Sequence, residues 1–305
     1  MSRNFPPWKR DPRSILQEAL NRSEKTLGYR FLVGFELEFH LTQIDESKSV
    51  KLVDQFYGAA SARDGGVSRF LEECIRSILD AGIVATHLHS EVGHGMFEIP
   101  TGPLRPIEAV DTLVYCKEAI QTISLKHGFN ATFFPKPVLS PSHTAVGAHV
   151  HFSIDEVTQE VADHFLAGIL DNLPALCAFS MPNFDSYHRL GDFRDQMANM
   201  FYVLAGWITA GCSGVNNKIP LKWKDPPSLM AGMTAEEVAE LNWDTKFPLS
   251  LIDAVEALEK TANSHSLSEL GEEFLHMYIN FKKLEAKQAA EKTEKERLDT
   301  LSRIF

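Results

Sequence analysis

FLVGFELEFH, residues 31–40, alternates without a break. Phe31, Val33, Phe35, Leu37 and Phe39 fall on one side; Gly34, Glu36, Glu38 and His40 fall on the other. Successive side chains of a strand point to opposite faces, so the pattern predicts a strand with a greasy side and an acidic side. An isolated E-x-E is usually just a solvated strand face. Here the opposite face is strongly apolar, and two further segments carry matching chemistry. HVHFS, residues 149–153, aligns His149, His151 and Ser153. HSEVGHGMFEI, residues 89–99, sets Glu91 and Glu98 around a turn at Gly93-His94-Gly95. Neighbouring carboxylates repel unless a proton or a cation lies between them. Convergence of Glu36, Glu38, Glu91, Glu98 and His149 would therefore make a divalent-metal site.

Outward from that strand, the punctuation is clear. Asp11 and Pro12 start a helix that Gly28 stops near Leu27. Gly65-Gly66 precedes an amphipathic helix from Val67 to Ala81, closed by Gly82. Residues 83–100 read as two strands and a turn. Pro103 and Pro106 introduce a helix through Lys126, ended by Gly128. Two strands follow, ATFFPKPV and GAHVHFSI, then a helix from about Thr158 to Phe179. The remainder is helical: Gln196 to Cys212, a piece after Thr234, another after Ser250, and a long one from Ser268. The Lys/Glu mixture of that last helix reads as a solvated face. The Pro-containing stretch Leu221–Ser228 reads as a surface loop, and Trp207 and Trp223 as core or interface residues. Strands cluster early and helices late, which predicts an α+β fold with strands paired mainly as chain neighbours.

The 305 residues suffice for a sizeable core, and 44% apolar with 23% charged residues is ordinary globular composition. A net charge of −11 argues against a broad nucleic-acid surface, so no nucleic-acid partner is expected. Cys74, Cys116, Cys177 and Cys212 are widely spaced and read as buried free thiols of a reducing, cytoplasmic compartment. The N-terminal segment lacks an apolar h-region, and the apolar run Met197 to Cys212 is too short to span a bilayer, so no membrane association is expected.

Four carboxylates and an imidazole are a hard, oxygen-rich set that suits Mg²⁺ or Mn²⁺ better than Zn²⁺. Five protein ligands exceed what one Mg²⁺ usually takes, so two ions are the simpler expectation. Paired ions commonly neutralise phosphate oxygens during phosphoryl transfer. No Walker-type phosphate loop is present.

LVGFELEFHL (32–41) resembles the catalytic domain of the glutamine synthetase family. So do HSEVGHGMFEI, GFNATFFPKPV (128–138), GAHVHFSI (147–154), SYHRL (186–190) and AGCSGVNNKIP (210–220), in the family's order and spacing. The resemblance covers nearly the whole chain. It implies one catalytic domain over residues 1–305, a curved, mainly antiparallel sheet flanked by helices. It also implies that Glu38, Glu91 and Glu98 hold one Mg²⁺ or Mn²⁺, and Glu36 and His149 the other. His151 and Ser153 would contact ATP, and Arg189 would act on the glutamate substrate.

Four departures accompany the likeness. The family's N-terminal β-grasp domain is expected to be absent, which implies a smaller or altered homo-oligomer. The chain is expected to be internally shortened between about 190 and 195, where Asp192 and Arg194 could stand in for the family's E-x-R pair, although Asp is shorter than Glu. The missing stretch normally carries further arginines and a flap glutamate near the ammonia site. Thr144-Ala145 replaces the usual Asn-Gly. The resemblance implies an ATP-dependent carboxylate–amine ligase that joins glutamate to ammonia or a larger amine through a γ-glutamyl phosphate. A second reading is an impaired relative that binds metal or nucleotide, or acts as an interaction subunit. A third, a zinc or manganese hydrolase using His87, His89, His149 and His151, leaves the paired glutamates unexplained. His87 and His89 otherwise read as ordinary strand residues, and Lys136 as either phosphate-facing or structural.

Overall fold

The computed structural model describes residues 8–44, 50–52, 65–134, 146–189, 198–226, 233–243, 246–262 and 266–301. The chain opens with α1 (Pro12–Leu27). Asp11 caps it, its side chain accepting from the Ser14 amide at 2.8 Å, and Gly28 ends it at φ 74°. Then come β1 (Phe31–Ile44), β2 (Val50–Leu52), α2 (Gly65–Asp80), β3 (His89–Ser90), β4 (Met96–Pro100), α3 (Pro106–Lys126), β5 (Asn130–Thr132) and β6 (Ala148–Ile154). Helices follow: α4 (Gln159–Asp171), α5 (Leu173–Ser180), α6 (Met200–Asn216), α7 (Ala235–Glu240), α8 (Leu251–Ala262), α9 (Glu272–Ala290) and α10 (Glu294–Leu301). Short 3₁₀ turns lie at Phe184–Arg189 and Ser268–Leu270.

These elements make two compact units. One gathers the described parts of Met1–Arg30, Ile154–His188 and Asn199–Ala290; the other gathers those of Phe31–Ser153, Arg189–Ala198 and Glu291–Phe305.

The second unit is built on β1. The sheet runs β2-β1-β4-β3, with β5 and β6 also pairing with β1. β1 is antiparallel to β2, β4 and β5, and β3 is antiparallel to β4. Pairing between chain neighbours was the expectation. Instead the 14-residue β1 collects four partners, because it is long enough to offer separate stretches to several short strands. Phe31, Val33, Phe35, Leu37, Phe39 and Leu41 are all buried, as are Phe70, Cys74 and Ile78 of α2 and Leu113, Cys116 and Ile120 of α3. Phe39 meets Phe70, Phe97 and Phe133 at centroid distances of 6.3, 5.9 and 6.0 Å. Each such buried aromatic contributes about 1.5–3 kcal/mol from area alone. Phe133 and Phe134 lie beyond β5, so that strand is shorter than the ATFFPKPV reading; residues 135–138 fall outside the described segments.

The other unit is helical. α4 and α6 approach closely through glycines: a Cβ on Gly168 would lie 2.3 Å from the Ala210 carbonyl oxygen, and one on Gly214 would lie 2.2 Å from that of His164. The helix expected from Thr158 to Phe179 is in fact α4 and α5, separated at Asn172. Pro174 explains the break, since it lacks an amide hydrogen and its ring clashes with the carbonyl four residues back. α6 starts later than the Gln196 expectation, at Met200 behind an Asn199 cap, and runs on to Asn216. The last long helix is not merely a solvated face. α9 buries Phe274, Leu275, Tyr278 and Ile279, and Phe274 and Tyr278 join Phe179 and Tyr202 in one aromatic cluster. The Lys/Glu content hid an amphipathic stripe. All four cysteines are free and buried; burial pushes the Cys116 and Cys177 thiols up to about 12, which leaves them inert.

Candidate metal centre

β1, β3, β4 and β6 present one set of polar side chains. Register places Glu38 of β1 opposite Glu98 of β4, and Glu98 opposite His89 of β3. Directly paired residues share a sheet face, so His89, Glu98 and Glu38 form a row across three strands. Glu36 lies two residues back along β1, on the same face. Gly34 precedes it on that face, where a Cβ would stand 3.2 Å from the Thr101 carbonyl oxygen and 3.9 Å from the His151 Cβ. That close approach gives β6 its place beside Glu36.

Glu36 is clamped by both imidazoles of β6. Its Oε2 lies 2.6 Å from His149 Nδ1 and its Oε1 2.6 Å from His151 Nε2. Glu38 is 1% exposed; its Oε2 accepts from the Gly147 amide at 2.6 Å, and its Oε1 lies 3.8 Å from His149 Nδ1. Glu98 lies 3.2 Å from His89 Nε2, and Glu91 reaches the other nitrogen of the same ring at 3.4 Å. Ligand atoms of Glu36, Glu98 and His149 all fall within 4.8 Å of one another. A second group, His87, His89 and Glu98, meets the same limit.

The electrostatics divide the carboxylates. Burial pushes the Glu36 carboxyl up, but hydrogen bonds from His151 and His149 outweigh it and leave the group below the usual carboxylate value. Glu98 is pushed up to about 7, first by burial, then by the charges of Glu36, Glu91 and Glu38, with His89 opposing. A carboxyl pushed up by burial and by surrounding carboxylates is one that a nearby cation would return to its charged form. The residues therefore fit a divalent ion. Glu36, Glu98 and His149 would form the nucleus of its site, with Glu38 adjoining through His149 and Glu91 joined through His89.

Of the expected site residues, the structure brings together Glu36, Glu38, Glu98 and His149, and it connects Glu91 through His89. His151 stands against Glu36, and Ser153 is exposed farther along β6. Arg189 ends the 3₁₀ turn, but its side chain, like Asp192 and Arg194, lies outside the described residues. Lys136 and Thr144-Ala145 lie outside them as well. From sequence alone His89 reads as an ordinary strand residue unless a hydrolase is assumed. Its signal was the H-x-E spacing to Glu91, but only register shows that it faces Glu98.

The fold and this face define an α+β protein whose antiparallel sheet carries a cluster of carboxylates and histidines that could hold a metal ion. Residues 9–195 and 192–300 match the family described as "Glutamine synthetase, catalytic domain". The chain belongs to the glutamine synthetase family, ligases that use ATP and divalent metals. It is 29% identical to Protein fluG of Emericella nidulans over 94% of this chain and 37% of that protein. It is 29% identical to a glutamine synthetase of Pyrococcus furiosus over 83% of this chain and 67% of that protein. A glutamate–isopropylamine ligase of a Pseudomonas species is 26% identical, with 94% of this chain and 72% of that protein covered. The chain thus spans little more than a third of fluG and about two thirds of the other two relatives. The solved structure described as "GmaS/ADP complex-Conformation 1" superposes at a TM-score of 0.79 with 23% identity, over 97% of this chain and 78% of that one, and this likeness carries the fold. Among the described residues, no helix is long and apolar enough to cross a membrane.

Proposed function

We propose that this chain is an ATP-dependent carboxylate–amine ligase that makes a γ-glutamyl amide from glutamate and either ammonia or a larger amine. The observation that carries the reading is Glu98: set among Glu36, Glu38 and Glu91, it is pushed up to about 7, first by burial and then by the charges of those carboxylates, with His89 opposing. Relatives named for glutamine and for isopropylamine ligation support both choices of amine.

In this reading both units together serve as one catalytic domain. Glu38, Glu91 and Glu98 hold one Mg²⁺ or Mn²⁺, and Glu36 and His149 a second. The ions, when bound, neutralise phosphate charge. His151 and Ser153 face the nucleotide. Arg189 and Arg194 bind the glutamate carboxylates and take up charge as the phosphoryl group moves. The γ-carboxylate of glutamate attacks the terminal phosphorus of ATP and ADP leaves. The amine nitrogen then displaces phosphate and loses a proton, giving the amide. Four buried thiols favour a cytoplasmic setting, and self-association into a homo-oligomer belongs to the same proposal.

The test is incubation with ATP, Mg²⁺, glutamate and hydroxylamine. Formation of γ-glutamyl hydroxamate is the expected result. Absence of product together with tight Mn²⁺–ATP binding would replace the ligase reading with that of an impaired, nucleotide-binding relative.

A further inference from the structure

We infer that His87, His89 and Glu98 form a separate transition-metal site, selective for Zn²⁺ or Co²⁺, beside the oxygen-rich centre. Their ligand atoms lie within 4.8 Å of one another, so modest side-chain rotation brings all three onto one ion. Two imidazoles and one carboxylate form a three-ligand set that Zn²⁺ accepts, with a fourth position open to water. The neighbouring centre offers mostly carboxylate oxygen, which suits Mg²⁺ and Mn²⁺. The two centres differ in hardness and share only Glu98.

Local structure already aims the rings. His89 pairs directly with Glu98 across the sheet, and His87, two residues earlier, brings a ring nitrogen within 4.8 Å of both. Their rings stack at 5.1 Å with planes 12° apart. His89 Nε2 sits 3.2 Å from Glu98, while its Nδ1 lies 3.4 Å from Glu91 Oε1 and 3.4 Å from the Ser90 carbonyl oxygen. A proton on Nδ1 donated to those oxygens leaves the Nε2 lone pair for a metal. His87 Nδ1 lies 3.0 Å from the Thr86 hydroxyl, which can accept from it in the same way. Metal-binding histidines characteristically have their second nitrogen held by such a partner. His87 is exposed, so an ion can reach the site from solvent.

The inference leans on the proposed function only in that Glu98 is shared, and its readouts need no turnover. The experiment measures Zn²⁺ retained by the full chain in excess Mg²⁺, together with the visible absorption of bound Co²⁺. The wild-type chain should retain one Zn²⁺ and give the intense Co²⁺ bands of a four-coordinate site. His87→Ala should weaken Zn²⁺ binding at least ~10-fold and remove those bands. His149→Ala should weaken Mn²⁺ binding while leaving Zn²⁺ binding within about threefold, as expected for distinct sites. Zn²⁺ affinity unchanged in His87→Ala, or lost in His149→Ala but not in His87→Ala, would overturn the inference. Failure of the hydroxamate assay with normal Zn²⁺ retention would count against the ligase reading alone.

Discussion

On one face of β1, Phe31, Val33, Phe35, Leu37, Phe39 and Leu41 are buried against hydrocarbon; on the other, Glu38 at 1% exposure is buried just as deeply, beside Glu98 at 5%. The apolar face is at its energetic minimum in the folded chain. The acidic face is not. It crowds carboxylates in a poorly solvated place and leaves one of them pushed up to about 7. β1 thus carries the apolar core of its unit on one face and, with Glu98 of β4, a crowded set of carboxylates on the other. Burial alone does not separate core from site. What separates them is the charge on the buried groups.

Substitutions on the two faces should have opposite effects. The largest change in stability belongs to Phe39→Ala, which should destabilise the chain by about 3–5 kcal/mol in denaturant unfolding, because three aromatic neighbours lose contact. A cost below about 1 kcal/mol would mean that the core is looser than described. Glu98→Gln should do the reverse. It should raise the thermal midpoint of metal-free protein while weakening Mn²⁺ binding at least ~10-fold. Glu38→Ala should likewise weaken metal binding and abolish ATP turnover; unchanged turnover would remove it from the ligand set.

The pH dependence separates the two carboxylates further. The Glu98 value is raised above its ordinary 4.5 to about 7, so the folded chain binds this proton more tightly than the unfolded chain. Its contribution to stability is full below 4.5 and is lost as pH rises through 7. Glu36 has the opposite sign: its value is lowered, so its contribution is present above 4.5 and is lost as pH falls through its folded value. Metal-free protein should therefore lose stability between about pH 4.5 and 7, and saturating Mn²⁺ or a Glu98→Gln change should remove that slope. A flat profile in metal-free wild type would contradict the strain at Glu98. The smallest effect should come from His151→Ala. That imidazole is 70% exposed, so losing its bond to Glu36 should cost under about 1 kcal/mol in thermal unfolding.

The two faces of β1 were equally legible in the sequence, because a strand has an integral period of two and FELEF displays it directly. The caps at Asp11 and Gly28 were legible too, since each residue performs its backbone task locally. Non-local facts were not. Nothing along the chain says that His89 pairs with Glu98, that both β6 imidazoles clamp one carboxylate, or that β1 gathers four partners. The α4–α5 break was written in Pro174 but masked by continuous apolar content. The amphipathic stripe of α9 was masked by lysines and glutamates around it. The arginines expected to act on substrate rested on family likeness, and their side chains fall outside the described residues.

The most direct test is Mn²⁺ titration of the full chain, followed by electron paramagnetic resonance, comparing wild type with Glu98→Gln and Glu36→Gln. The acidic face of β1 as a divalent-cation centre predicts stoichiometric Mn²⁺ binding in wild type and at least ~10-fold weaker binding in both variants. Equal Mn²⁺ binding by all three proteins would contradict it.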